Sequence, residues 1–199
     1  MTGMNATSSE LAARLCAGEA GLFPTDTLPA LAAAPAHAEL LWELKQRPLH
    51  KPVILMGASA AELWPCLEVP VQESWRELAA QHWPGALTLV LPARGALVEQ
   101  LNPGGSSLGL RIPACARALE LLRQSGPLAT TSANRSGEDP CLSAAEAAAR
   151  FPSVARLGPE PWPAPSGQAS TVLQWQSDGC WRLLRAGAVM PAELPLAPS

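Results

Sequence analysis

The motifs that announce the commonest chemistries are missing from this 199-residue chain. It has no GxxxxGK[ST] loop to cradle phosphates, no HExxH pair to hold zinc and no GxSxG nucleophile elbow. The glycines of NPGGSSLG do not open a helix after a strand, which disfavours dinucleotide binding. Five cysteines (Cys16, Cys66, Cys115, Cys141, Cys180) lie far apart, with no CxxC or Cys/His group at zinc spacing, so reduced thiols are expected. Three histidines (His37, His50, His82) stand at no fixed spacing from a carboxylate and lend no support to a Ser–His–Asp triad. No apolar run approaches the ~20 residues that span a bilayer. The N-terminal MTGMNATSSELAARL lacks the basic and apolar regions of a secretory signal. A cytoplasmic protein without a membrane partner is the expectation. A net charge of −3 argues against a non-specific nucleic-acid binder, so any anion site must come from local clustering.

Some residue types are scarce in a telling way. Tyrosine is absent, and lysine occurs twice against twelve arginines. This composition resembles a GC-rich coding sequence, in which arginine replaces lysine wherever the two are interchangeable. At bidentate, stacked or tightly fitted sites they are not. Both lysines fall within one stretch of nine residues, LKQRPLHKP (44–52), with Arg47 and His50 between them and no acid among them.

What is present suits one large core. Hydrophobic residues make up 48% and charged residues 16%, far from the signature of disorder. A chain of this length buries about 70% of its unfolded surface. SSELAARLCAG predicts a helix capped by Ser8 or Ser9. AGLFP predicts a strand, and HAELLWELKQ a helix ending near Arg47, because Pro48 disfavours helix in the residue before it. PVILM, ALTLVLP, SLGLRIP, PLATTS, STVLQWQ and CWRLLRAG predict strands, the last two a hairpin around 177–179. Helices are expected around 59–67 and 71–82, over ACARALELLRQ, and over SAAEAAARF, which Ser143 and Glu146 open as a capping box. The proline-rich stretch 158–167 reads as an ordered or lid-like loop. Strands alternating with helices imply an α/β fold with a mixed sheet in a single domain over 8–188, with flexible termini at 1–7 and 189–199.

Short polar clusters punctuate these strands: PTDT (24–27), KQRPLHK (45–51), SLGLR (107–111), TTSAN (130–134), GQAST (167–171) and RAG (185–187). Each has an ordinary reading, as a turn, a solvated helix end or a cap. Together, at successive strand ends where loops converge, they suit a polar small molecule, and Lys45, Arg47, Lys51, Arg111 and Arg185 suit a multiply charged anion such as a triphosphate.

PTDT, KQRP followed by KPVILM, WPGALTLVLPA, LGLRIP, TSANRSG, ASTV and LLRAG occur in the order seen in the YrdC-like threonylcarbamoyl-AMP synthases, which the chain resembles from about residue 8 to 188. The paired KxR and SxN motifs, Lys45-Gln-Arg47 and Ser132-Ala-Asn134, are the specific part. The resemblance implies the short, single-domain form: a twisted open mixed β-sheet flanked by helices, with a concave, positively charged face. It implies synthesis of L-threonylcarbamoyl-adenylate from L-threonine, bicarbonate and ATP with release of pyrophosphate, ATP entering with Mg²⁺ and no metal held directly by protein ligands. A downstream tRNA threonylcarbamoyl transferase complex then modifies adenosine 37. Carried over, Lys45, Arg47 and Lys51 are catalytic. Arg47, Lys51, Ser107, Asn134, Ser143 and Arg185 contact ATP. Thr27, Met56, Arg111, Ser132 and Ser170 form the threonine pocket, with Arg111 suited to the carboxylate.

One departure stands out. After PT[DE]T and one residue the family carries aromatic–Gly–Leu. This chain reads PTDTLPAL, so the aromatic is lost and a proline, with φ fixed near −65°, enters a segment that elsewhere holds a glycine. Two alternatives follow from it: a non-catalytic tRNA or double-stranded RNA-binding module of the same fold, and a paralogue acting on another small substrate.

Overall fold

A computed structural model describes residues 5–192. Ten strands form a single sheet, flanked by seven α-helices among the described residues. The strands are β1 (Asn5–Ala6), β2 (Gly21–Phe23), β3 (Ala30–Ala33), β4 (Ile54–Met56), β5 (Leu87–Pro92), β6 (Ser107–Arg111), β7 (Leu128–Ser132), β8 (Ala155–Leu157), β9 (Thr171–Trp175) and β10 (Trp181–Arg185). The helices are α1 (Ser8–Cys16), α2 (Glu39–Lys45), α3 (Ala60–Leu63), α4 (Glu73–His82), α5 (Ala96–Leu101), α6 (Ala116–Ser125) and α7 (Ala144–Arg150). Strand order is β1-β8-β2-β3-β7-β4-β6-β5-β9-β10. The β1/β8, β8/β2, β4/β6 and β5/β9 pairs are parallel and the rest antiparallel, so the sheet is mixed, as expected.

Local chemistry moves two helix ends from their expected places. Thr7, not Ser8 or Ser9, caps α1, because only Thr7 has an acid three residues on: Glu10 N–H donates to the Thr7 hydroxyl, and Thr7 N–H donates to the Glu10 carboxylate. Helix α2 stops at Lys45, two residues before Arg47. Gln46 turns left-handed (φ 51°), and the N–H groups of Gln46 and Arg47 return to the carbonyls of Glu43 and Trp42, a Schellman closure. The expected flexible termini fall partly outside the described residues, at 1–4 and 193–199. Asn5–Ala6 pairs with β8, and the Val189 carbonyl accepts a hydrogen bond from the Thr171 hydroxyl, so the described fold extends past residues 8 and 188 at both ends.

The alternation along each strand separates two cores. Leu22, Leu31, Leu55, Leu89, Leu110, Ala129 and Leu173 face the larger one, with Trp42, Trp75 and Leu78 of the helices packed on them. On the other face, Phe23, Ala32, Leu128, Ala155 and Leu157 meet α1 and α6, which supply Leu11, Leu15, Leu121 and Leu122. Those two helices cover the half of this face around β8, β2 and β3. Over the half made of β4, β6, β5 and β9, no helix residue among the described ones lines the face beyond the contact of Met56 with α6, and the inward residues (Ile54, Thr88, Val90, Gly109, Val172, Gln174) line a cavity instead.

Candidate functional site

The cavity measures about 540 Å³, within the range of small-molecule sites. Its floor is the uncovered sheet face and not only the strand ends, so mid-strand residues contribute. Register aligns them: Met56 stands beside Arg111 and Ile54 beside Gly109, while Thr88 and Val90 pair with Val172 and Gln174. Gly109 keeps the floor low, because a Cβ there would lie 2.8 Å from Cγ2 of Ile54.

Two loops and the end of β10 bring polar groups to this floor. In PTDT, the Thr25 hydroxyl donates to Leu28 O (2.6 Å) and accepts from the N–H groups of Thr27 and Leu28, a hydroxyl-closed turn. That turn presents Thr27 and Asp26 to Arg111. Arg111 Nη1 donates to Thr27 Oγ1 (2.7 Å), Nη2 to Asp26 Oδ1 (2.8 Å) and Nε to Gly85 O (3.0 Å). Three of its five N–H donors are thus committed and two remain for a ligand. Arg111 is 4% exposed. Burial lowers its pKa while the Asp26 carboxylate opposes the shift, so the ion pair keeps the guanidinium charged. Residues 166 and 167 brace the same turn: Ser166 and Gly167 N–H donate to the carbonyls of Asp26 and Thr27, and Trp162 buries its ring with Nε1–H donating to Leu157 O. The proline-rich stretch is therefore docked on the site.

Arg47 folds its guanidinium onto the carbonyls of Lys51 (3.1 Å) and Pro52 (3.0 Å), which shapes the KQRPLHK loop at the cavity mouth. Burial, then the neighbouring Arg185, push its pKa down. Exposed Lys51 makes no side-chain hydrogen bond or ion pair among the described residues, and lines the mouth with Arg47 and His50. Arg185 reaches the Ser170 carbonyl with Nε (3.0 Å) and Nη2 (2.9 Å), and Ser170 Oγ shares a 2.8 Å hydrogen bond with Thr88. Ser107 takes a donor from Asn102.

Of the expected residues, Arg47, Lys51, Ser107 and Arg185 line the cavity with Thr27, Met56, Arg111, Ser132 and Ser170. Three do not. Lys45 is 1% exposed; its ammonium is turned away from the mouth to Ser132 O and Asn134 Oδ1. It ties the end of α2 to the TSAN loop, where its own carbonyl also accepts Ser136 N–H, and it meets the cavity only through the lining residue Ser132. Desolvation, then the Arg47 charge, lower its pKa to about 7. Asn134 spends its amide closing the same loop: Nδ2 donates to the carbonyls of Arg135 and Glu138, and Oδ1 accepts from Ser132 Oγ (2.6 Å). Ser143 caps α7 through Glu146 N–H and borders a second hollow beside Trp162. The loop between Asn134 and α7 carries it away from the cavity. Sequence reasoning passed over Thr88 and Gln174, and took in Gly109 and Thr130 only as members of the SLGLR and TTSAN clusters. Their signal was a polar or glycine residue at alternate positions of an apolar strand, as in LTLV and LGLR.

A buried, paired arginine among hydroxyls, next to a mouth of cations, defines a class of site: one for a small polar acid beside a polyanion. The chain belongs to the Sua5/YciO/YrdC family, whose model, described as telomere recombination, matches residues 13–187. The threonylcarbamoyl-AMP synthase of Idiomarina loihiensis is 34% identical over 134 residues, 65% of this chain and 72% of that protein. That of Serratia proteamaculans is 37% identical over 134 residues, covering 65% and 71%. A P. abyssi Sua5 structure complexed with L-threonine superposes with a TM-score of 0.84 at 30% identity, over 94% of this chain and 58% of that one.

Proposed function

We propose that this chain condenses L-threonine, bicarbonate and ATP into L-threonylcarbamoyl-adenylate, releasing pyrophosphate. It acts as a nucleotidyltransferase whose product serves a downstream tRNA threonylcarbamoyl transferase complex. The observation that carries this is the division of charge in one cavity. Arg111, held by Asp26 and Thr27 with two donors to spare, suits a single carboxylate. Arg47, Lys51 and Arg185 stand at the mouth and suit a triphosphate, whose Mg²⁺ arrives with the nucleotide. The threonine-bound relative and the synthases among the relatives support the same reading.

In this scheme the threonine amine adds to bicarbonate with loss of water. A carbamate oxygen then attacks the α-phosphorus as the bond to pyrophosphate breaks. The protein needs no covalent nucleophile. Its contribution is to hold three reactants in attacking geometry, where effective molarities reach ~10⁵–10⁸ M, and to place fixed cations where charge grows on the leaving pyrophosphate. The Pro29 departure lies in the wall of this cavity, beside Leu28. Purified protein supplied with ATP, Mg²⁺ and bicarbonate should release pyrophosphate only when threonine is added. Release that is indifferent to threonine refutes the proposal.

A further inference from the structure

We propose that Thr130 is a specificity-determining residue that reads a side-chain hydroxyl of the amino-acid substrate. This rests on the reading of the cavity as an amino-acid site. Six hydroxyl side chains are buried in the described fold: Thr25, Thr27, Thr88, Thr130, Ser170 and Thr171. Five have partners. Thr25 bonds Leu28 O, Thr27 receives Arg111, Thr88 and Ser170 bond each other, and Thr171 donates to Val189 O. Thr130 Oγ1 alone has none, although the residue is 1% exposed and lines the cavity. A buried hydroxyl left without a partner costs free energy comparable to a lost hydrogen bond, so such a group in a cavity wall points to a ligand that completes it.

Its surroundings select the ligand. Thr130 lies in β7 directly opposite Ile54 of β4 and Ala32 of β3, on the face that carries Ala30, Met56 and Leu128. Its direct cross-strand neighbours, Ile54 and Ala32, are both apolar. A lone hydroxyl between apolar neighbours suits the side chain of a short β-hydroxy amino acid. Arg111 lies beyond β4 on β6, two strand spacings across and two residues along, ~12 Å away. An α-amino acid in the cavity with its carboxylate on Arg111 can direct its side chain toward Thr130. Sites that hydrogen-bond a substrate hydroxyl reject the analogue lacking it far more strongly than apolar pockets reject a missing methyl.

The test crosses two changes: Thr130→Val, which keeps the shape and removes the hydroxyl, and threonine replaced by 2-aminobutyrate, which lacks its hydroxyl. Each amino acid is titrated calorimetrically into wild-type protein and variant, and kcat/KM is read from pyrophosphate release. Wild-type protein should prefer threonine. T130V should lose about ten- to a hundredfold on threonine while holding its level on 2-aminobutyrate, so that the preference collapses. Thr130→Ser, which retains a hydroxyl, should keep the preference and guards against a folding artefact. A T130V variant that loses equally on both amino acids, or on neither, overturns the assignment. Wild-type protein that binds no amino acid would overturn the reading of the cavity itself, which is a different result.

Discussion

Lys45→Met tests what the buried ammonium does to the fold. Lysine ordinarily titrates near 10.5; here desolvation and the Arg47 charge hold it at about 7. The sign follows from proton counting. Between pH 7 and 10.5 the unfolded chain binds the Lys45 proton and the folded chain has shed it, so stability rises with pH across that window. Below pH 7 both states are protonated, and the contribution is flat at its least favourable level. At about 1.4 kcal/mol per pH unit, moving from pH 7 to pH 9 should stabilise the native protein by roughly 2–3 kcal/mol through this residue. Two thiols pull the other way, since desolvation raises the pKa values of half-buried Cys66 and buried Cys141. The absence of tyrosine removes another common group that titrates toward the upper end of this window. The quantity to measure is therefore the stability difference between native protein and Lys45→Met, by urea unfolding at pH 6, 7, 8 and 9. Methionine leaves Asn134 Oδ1 still paired with Ser132 Oγ, so no acceptor is orphaned there. The native-minus-variant difference should be constant from pH 6 to 7 and climb thereafter. Parallel curves across the whole range would show that the ammonium is not held low, and would return Lys45 to the solvated role.

Two further substitutions separate the ends of the cavity. Arg111→Lys removes the fork that binds Gly85 O, Thr27 and Asp26 at once, and should cut kcat/KM for threonine at least a hundredfold with a smaller effect on the KM for ATP; equal losses on both substrates would contradict the division of charge. Lys51→Ala should raise the KM for ATP about tenfold and leave unfolding within ±0.5 kcal/mol of native, because an exposed side chain without partners contributes little to the fold. A large drop in melting temperature at unchanged KM would assign Lys51 to structure instead.

Legibility from sequence was uneven for identifiable reasons. Strands such as LTLVLP and LATTS carry enough alternation and β-branched residues to declare themselves. Helix α5, six residues long, and strand β8, three residues long, are too short to show a period, and both were passed over. The cavity's arginines were legible as isolated cations in clusters, but their commitments were not. Nothing local says that Asp26 takes Arg111 rather than capping its own turn, or that Lys45 turns inward, because both depend on strands that pair far apart in sequence. Ser143 was read both as a helix cap and as a ligand contact; with Glu146 three residues on it does cap α7, and it borders the second hollow and not the main cavity. Thr130 was hidden for the opposite reason: within LATTSAN it looks like one more strand threonine, and only burial without a partner distinguishes it.

The central claim is that one cavity joins threonine, bicarbonate and ATP. Its most direct test is to supply ¹³C-bicarbonate with ATP, Mg²⁺ and threonine and to analyse the products by mass spectrometry. The account predicts an adenylate carrying one ¹³C and the threonine moiety, formed in step with pyrophosphate. Pyrophosphate released with no ¹³C in any adenylate would contradict it.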